Sequence, residues 1–395
     1  MKRPSQATFW RRRIVALAAL GGIAYLLVAG VRSVSEDGGG IVLSRAELRR
    51  EALDAHPARL VIEASGDLLI HSPVWERAQA LAGGSGYDFA PLFAAIKPYV
   101  AGADLALCHV ETPMTPAPPT SYPIFNTPPA LAAGVAKTGW DACDTASNHS
   151  LDQGQEGIDA TGRALDRAGV EHTGSFPSPS AQRHDVVMER VRGVRIAFIA
   201  YTTDTNGIPL PHPWSVNIAS ARRILADARR AVKRHADAVI VNLHWGGEIV
   251  PEYQSEPSSG QLALVRKLAA SPDVTAIVGQ GPHCVQPIER VRGKFVVFSE
   301  GNLISNQSPL AGLPASSQDG LIALLHLRVS GHGARVTRVD YVPVFVRQPD
   351  YTVEPVGPAL RSGALDAATA RASYERTVSV AGRGHGVEPI PRRLG

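Results

Sequence analysis

Five short stretches of this 395-residue chain end an apolar run on side chains that bind divalent cations or move protons. They are "SGDLLIH" (residues 65–71), "CHVET" (108–112), "SNHS" (147–150), "LHWGGE" (243–248) and "GQGPHC" (279–284). Carboxylate, amide and imidazole donors from separate strand ends can converge on one ion, because a parallel sheet brings the C-terminal ends of its strands to one rim. Any one of these residues alone reads equally well as a helix cap or a satisfied loop residue. Five in succession point to a shared site, and its natural chemistry is metal-assisted attack by water with an imidazole moving the proton.

The segments around them supply the frame. "GWDACDTA" reads as a short apolar strand and "QGQEGIDATGRALDRAG" repeats its apolar residues at helical spacing, which places Asn148 and His149 in a strand-to-helix loop. Strand and helix patterns alternate from "RLVIEASGDLLI" through "ADLALCHVE", "DAVIVNLHWG" and "VTAIVGQG". Two hairpins are expected to turn at Arg-Gly, in "MERVRGVRIAF" and "IERVRGKFVVF". "GLIALLHLRV" and "ARVTRVDYVPVFVR" add late strands, and "TPMTPAPPTSYP" reads as a surface excursion. So many strands separated by helices fit an α/β chain folded as a four-layer αββα sandwich. The expected organisation is a basic tail and anchor helix over 1–34, a polar linker over 35–57, the main domain over 58–350 and a C-terminal extension over 351–395.

The 44% hydrophobic fraction is that of a globular protein. The small surplus of Lys plus Arg over Asp plus Glu, 40 to 36, forms no basic stripe interleaved with aromatics, so nucleic acid is not an expected partner. Arg11, Arg12 and Arg13 precede an uncharged run at 14–31, long enough for one membrane crossing with the arginines on the cytoplasmic side. Small residues near its end leave cleavage as a signal peptide open. Cys108, Cys143 and Cys284 then face an oxidising compartment with room for at most one internal disulfide. A Cys108–Cys143 bridge requires neighbouring strands; three buried thiols is the expectation. Trp140 and Trp245 read as packing aromatics and Asp152 as a cap or first-turn acid of the following helix. No Gly-x-Ser-x-Gly elbow and no Gly-rich loop with Lys is present, against a serine hydrolase and a nucleotide hydrolase.

The motifs "GDLLIH", "HVETP", "ASNHSLDQGQEGI", "LHWGGE", "GPHCVQPIE" and "FSEGNLISNQ", in this order, resemble the CapA family of capsule synthesis proteins, linked to poly-γ-glutamate. That family is similar in turn to calcineurin-like metallophosphatases. The resemblance implies a metallophosphatase-like fold and a membrane-anchored, extracytoplasmic, metal-dependent hydrolase or transferase. Its implied partners are an anionic cell-envelope polymer, the membrane and other capsule synthesis proteins. Its implied cofactor is one or two divalent ions, Mn, Fe or Zn. Asp67 resembles the first metal carboxylate, Glu111 a carboxylate bridging two ions, Asn148 an amide ligand, His149 the proton donor, and His244 and His283 imidazole ligands. His71, Glu248 and Asn302 resemble second-layer or substrate-positioning residues. Three positions depart from the metallophosphatase pattern: Leu69 stands where a His is usual, Gly281 where the first of two closing imidazoles is usual, and His109 where an Asn is usual. By strand alternation His109 shares a face with Glu111 and could supply the ligand that Gly281 lacks. One ion position, Asp67 with Glu111 and His283, is expected on this basis ahead of a weaker second set, Glu111 with Asn148 and His244. The rival reading is a non-catalytic polymer-binding or assembly subunit with a degenerate metal site.

Overall fold

The structure, a computed structural model, describes residues 44–184 and 186–394. Its strands are β1 (Ala58–Leu68), β2 (Leu105–Val110), β3 (Ala142–Asp144), β4 (Glu171–Thr173), β5 (Val187–Val191), β6 (Val194–Thr202), β7 (Ala238–His244) and β8 (Ala276–Gln280). They continue as β9 (Ile288–Val291), β10 (Lys294–Val297), β11 (Asn302–Ile304), β12 (Asp319–Ser330), β13 (Gly333–Arg347), β14 (Thr352–Pro355) and β15 (Val387–Pro389). The α-helices among the described residues are α1 (Arg45–Ala55), α2 (Ser72–Leu81), α3 (Lys97–Val100), α4 (Ala130–Thr138), α5 (Gly154–Ala168), α6 (Pro179–Arg183), α7 (Ala221–Lys233), α8 (Ser259–Ala269), α9 (Val356–Ser362) and α10 (Ala367–Ala381).

Among the described residues the strands form two sheets. The first runs β14-β13-β12-β1-β2-β3-β4, with β11 beside β1 and β15 beside β13; the second runs β5-β6-β7-β8-β10-β9. They meet face to face through β1 with β8 and through β13 with β7 and β10. The outer face of the first sheet is covered by α2, α4, α5 and the turn-rich stretch holding Phe89, Phe93 and Ile96. The outer face of the second is covered by α7 and α8, which bury Ile224, Ala228, Val265 and Leu268 against Val239, Val241 and Ile277. The alternate residues Ile240 and Val278 are as deeply buried and face the other sheet. The result is the αββα sandwich expected from the alternation of patterns.

Both Arg-Gly hairpins form. β5–β6 turns at Arg192-Gly193 (φ 48° and 81°) and β9–β10 at Arg292-Gly293 (φ 50° and 82°). Two successive positive φ values give the turn whose twist matches the strands it joins, at the cost of placing an arginine in the left-handed region. Residues 351–394 add β14 and β15 to the first sheet and bury Val356, Ala359 and Tyr374 against Phe345. They belong to the same compact unit as the rest of the chain from Pro57 onward. Part of the expected linker is helical: α1 starts from a capping box in which Ser44 and Glu47 exchange side-chain and backbone hydrogen bonds. Among the described residues no helix is long and apolar enough to cross a membrane. The apolar run at 14–31 and its arginines lie outside the described residues.

The expectation of three thiols is corrected. β2 and β3 are parallel neighbours that pair Cys108 with Cys143, and the two cysteines form a disulfide across a Cα–Cα distance of 4.5 Å. Cys284 remains a buried thiol, and burial pushes it up to about 12.

One buried acid of β1 couples the fold to pH. Glu63 is fully buried, and one of its oxygens accepts from the Leu107 N–H at 3.2 Å. Burial pushes its carboxyl up to about 8 from a reference of 4.5, against the lowering effect of Ser65, Leu107 and Trp140. The folded chain therefore keeps a proton that the unfolded chain releases, so stability falls as pH rises through the window from 4.5 to about 8. Glu63→Gln, which keeps the acceptor, is expected to remove the Glu63 share of that slope and to stabilise the protein at pH 8 by a few kcal/mol, with little change at pH 4. Urea melts of both proteins at the two pH values test this; an equal effect at both would contradict it.

Candidate metal centre

The site forms where the C-terminal ends of β1, β2 and β3 in one sheet meet those of β7 and β8 in the other. Asp67 reaches it through a break in register between Ala64 and Asp67 in the β1–β2 ladder. After that break Leu68 and Ile70 lie in the helix-side core, so Asp67, next before Leu68, turns to the face between the sheets. Gly66 sits at the break against β11's approach: a Cβ there would lie 1.8 Å from the Gly301 carbonyl oxygen. No other residue fits.

Two groups of buried side chains converge on Asp67. Asp67, His109 and His244 place one ligand atom each within 4.8 Å of one another, and so do Asp67, Glu111 and His283. In the first group the His109 Nε2 lies 3.7 Å and the His244 Nδ1 3.6 Å from Asp67 Oδ1, with the two rings stacked at 4.7 Å. In the second the His283 Nδ1 lies 3.4 Å from Asp67 Oδ2 and its Nε2 3.9 Å from Glu111 Oε1.

The atoms facing these two points have no hydrogen-bond partner although they are buried: Asp67 Oδ1, His109 Nε2, His244 Nδ1 and both oxygens of Glu111. Leaving such groups unpaired costs about 1–3 kcal/mol each, more where charge is involved, whereas a divalent cation would satisfy them all. The donor set therefore fits a metal ion.

The opposite edge of each imidazole is held. His109 Nδ1 donates to Asp144 Oδ2 at 3.0 Å, and Asp144 is itself held by the side chains of Asn242 and, at 3.5 Å, Gln280 from the second sheet. His244 Nε2 donates to Asn148 Oδ1 at 3.0 Å, and His283 Nδ1 donates to Asn302 Oδ1 at 3.0 Å. The Asn302 amide donates in turn to Gln307 Oε1 and the Ser317 carbonyl, which fixes its orientation. Such partners set which ring nitrogen carries the proton and leave the other for a ligand bond.

Electrostatics separate the two groups. Burial alone would raise Asp67, but the His244 and His283 rings against it hold it below the usual carboxylate range. Burial, and after it the Asp67 charge, pushes Glu111 well above that range. Burial lowers His244 to about 4. Burial would lower His283 as well, but the Glu111 and Asp67 carboxylates overcome it and raise the ring to about 10. A cation entering the second group must therefore displace the His283 proton at neutral pH, while the His244 ring is already neutral. Uptake of Mn2+ at the second group is expected to strengthen at least tenfold per pH unit between pH 6 and 8, with a shallower dependence at the first. Calorimetric titration in buffers of different ionisation enthalpy counts the protons released; the same count at both positions would contradict the assignment.

Several expected site residues lie elsewhere than anticipated. The carboxylate common to both groups is Asp67, not Glu111, because the bulge in β1 brings Asp67 between β2 and β8. Asn148 stands behind His244 instead of in a ligand position, its Oδ1 taken by His244 and by the Ser147 hydroxyl at 3.0 Å. The companion of His244 is His109. The position of Gly281 has no room for a side chain: a Cβ would lie 2.1 Å from the Trp245 carbonyl oxygen, and the Gly281 N–H donates to Asp67 Oδ2 at 3.2 Å. His71 precedes α2 as its N-cap residue, packs edge-on at 5.2 Å against Phe125 and takes the Asn306 N–H on Nδ1, outside both groups. Burial lowers it to about 4. The side chain of Glu248 lies outside the described structure. Trp245 is a core aromatic whose Nε1 donates to the Phe298 carbonyl.

His149, next to Asn148 in the chain, pairs with Asp152, the residue expected as a cap or first-turn acid. Asp152 is not the cap of α5; its Oδ2 receives His149 Nδ1–H at 2.8 Å and the Phe125 N–H at 2.7 Å. The three-residue spacing in "HSLD" was the available signal. The Pro-rich excursion likewise does more than cross the surface, since it buries Met114 in the core and leads to Phe125, whose ring lies edge-on at 4.7 Å to His149. Asn206, on the loop after β6, was not anticipated; its Oδ1 accepts from the Asn148 amide at 3.2 Å.

The sequence model of the family described as "Bacterial capsule synthesis protein PGA_cap" matches residues 61–307, which contain every residue of both groups. Among curated relatives, the capsule biosynthesis protein CapA of Bacillus anthracis is 25% identical over 302 residues, covering 73% of this chain and 68% of that protein. The PGA biosynthesis protein CapA of Bacillus subtilis (strain 168) is 28% identical over 200 residues, covering 50% of each chain, so the present chain spans about half the length of that relative. Among solved structures, a phosphatase from Mycoplasma pneumoniae shares 12% identity over 75% of this chain and 96% of that one, with a TM-score of 0.45. The calcineurin-like phosphoesterase YfkN of Bacillus subtilis shares 13% identity over 81% of this chain and 97% of that one, with a TM-score of 0.43. These two are loose likenesses from which no residue correspondence follows. With the family match spanning more than half of its residues, the chain belongs to the PGA_cap family of bacterial capsule synthesis proteins.

Proposed function

We propose that this protein is a membrane-anchored, extracytoplasmic hydrolase or transferase that depends on a divalent metal and acts on a cell-envelope polymer, with poly-γ-glutamate as the substrate class. The observation that carries the reading is the set of buried, unpartnered donor atoms on Asp67, His109, Glu111 and His244, gathered with His283 at one rim. The names of the Bacillus relatives supply the polymer. The arginines before the run at 14–31 supply the topology, and the Cys108–Cys143 disulfide suits an oxidising compartment. Mixed oxygen and nitrogen donors suit Mn, Fe or Zn, in one ion or two.

When bound, such an ion supplies Lewis acidity toward a substrate oxygen and a more acidic water. The remaining work falls to the chain. Asp144, Asn148 and Asn302 hold the outer nitrogens of His109, His244 and His283, which fixes the orientation of those rings. Asp152 holds Nδ1–H of His149, and Phe125 packs against its ring, so Nε2 is the atom left to give a proton to the departing nitrogen or oxygen. In hydrolysis the OH of water ends on the acyl or phosphoryl centre and the proton on the leaving group.

The full-length protein, loaded with Mn2+, is to be incubated with poly-γ-glutamate and, separately, with bis-p-nitrophenyl phosphate. Chain shortening or p-nitrophenol release that stops with EDTA and returns with metal is the expected result. Metal and polymer bound without turnover of either substrate would instead favour an assembly subunit.

A further inference from the structure

We propose that the Cys108–Cys143 disulfide positions the metal ligand His109 and thereby sets the affinity of the Asp67–His109–His244 group; this rests on the metal reading above. β2 and β3 are in register so that Cys108 pairs with Cys143 and, one residue on, His109 pairs with Asp144. Successive side chains leave a strand on opposite faces. The disulfide accordingly lies in the helix-side core with Leu165 and Val170, while His109 and Asp144 face the other sheet. One residue pair is joined covalently and the next by the 3.0 Å hydrogen bond that fixes the His109 ring.

β3 has only three residues, Ala142–Asp144, and all three are used in pairing with β2. So short a ladder has little of its own to hold the two strands at constant spacing, and a small shift of β2 against β3 would turn His109 Nε2 away from Asp67 Oδ1. Asp144 has anchors in the second sheet, Asn242 and Gln280, whereas the described contacts of the His109 ring are Asp144, Asp67 and the His244 face. What the disulfide adds is therefore the placing of His109 relative to Asp144. The second group holds its imidazole through Asn302, on β11, away from this ladder, and its Glu111 lies past the last residue of β2 that pairs with β3.

The test uses Co2+ binding by the full chain, followed by its visible absorption, in a double-mutant cycle. The variants are Cys108→Ala/Cys143→Ala, a volume-restoring Cys108→Ala/Cys143→Val, His109→Ala, and the combination of His109→Ala with each pair. Removing the disulfide is expected to weaken the same binding step that His109→Ala weakens, by roughly 10–100-fold, the range for partners that orient a ligand. It should leave the other step unchanged and have no further effect in the His109→Ala background. Thiol titration of the denatured, unreduced wild type should find one thiol. A loss spread over both binding steps, a loss that persists without His109, or three titrating thiols would each overturn the proposal. A wild-type chain that takes up no Co2+ would bring down the metal reading and this proposal together; normal Co2+ binding with a flat cycle brings down this proposal alone.

Discussion

Asp67→Asn is expected to disable both ligand groups at once, because Asp67 is the member they share. Metal content should fall to near zero by elemental analysis, and kcat/KM on the substrate found should drop on the order of 1,000-fold or more. Glu111→Gln and His109→Ala should each lower one binding step and spare the other, since each belongs to one group. The apo form carries a second signature. With Asp67 neutral, His283 loses one of the carboxylates that raise it, so its pKa should fall from about 10 in the variant. Full metal content in Asp67→Asn would mean that the shared carboxylate has been wrongly chosen.

His149→Ala is expected to cut turnover by roughly 100- to 10,000-fold while metal content stays at the wild-type level. The size of the loss should follow the leaving group. A p-nitrophenolate departs without a proton and should show a small effect, whereas an alkyl amide or alkyl phosphoester should show the full one. Asp152→Asn should give a smaller loss with the same pattern, since its carboxylate orients the ring without meeting the substrate. Equal losses for both kinds of leaving group would assign His149 to binding instead of proton transfer.

The sandwich was legible because its signals are local. Strand and helix periods alternate, and the Arg-Gly tips mark both hairpins. The five strand ends were legible for the same reason: an apolar run that stops on Asp, Glu or His can be seen without knowing its neighbours. What the sequence hides is cross-chain geometry. Strict alternation along β1 puts Asp67 on the same face as Glu63 and Ser65, and only the bulge at Gly66 turns it inward. Nothing in "ASNHS" says that the Asn148 oxygen will be consumed by His244, which lies 96 residues away in sequence. His109 could be placed beside Glu111 by strand period, but its pairing with Asp144 depends on the register between β2 and β3. The disulfide depends on that same register.

The ligands also divide by sheet. Asp67, His109 and Glu111 belong to one and His244 and His283 to the other, so a cation bound at the centre would act as a rivet through the seam of the sandwich. Under saturating metal, at about a hundredfold over Kd, that rivet adds about 2.7 kcal/mol to the folded state. Stripped of it, the buried donor atoms of Asp67, His109, His244 and Glu111 are left without partners at the rim, and the seam should part there before the helix-covered layers loosen. Metal scarcity would then register first as exchange of the amides near Trp245 and Gly281, ahead of any change in the outer helices.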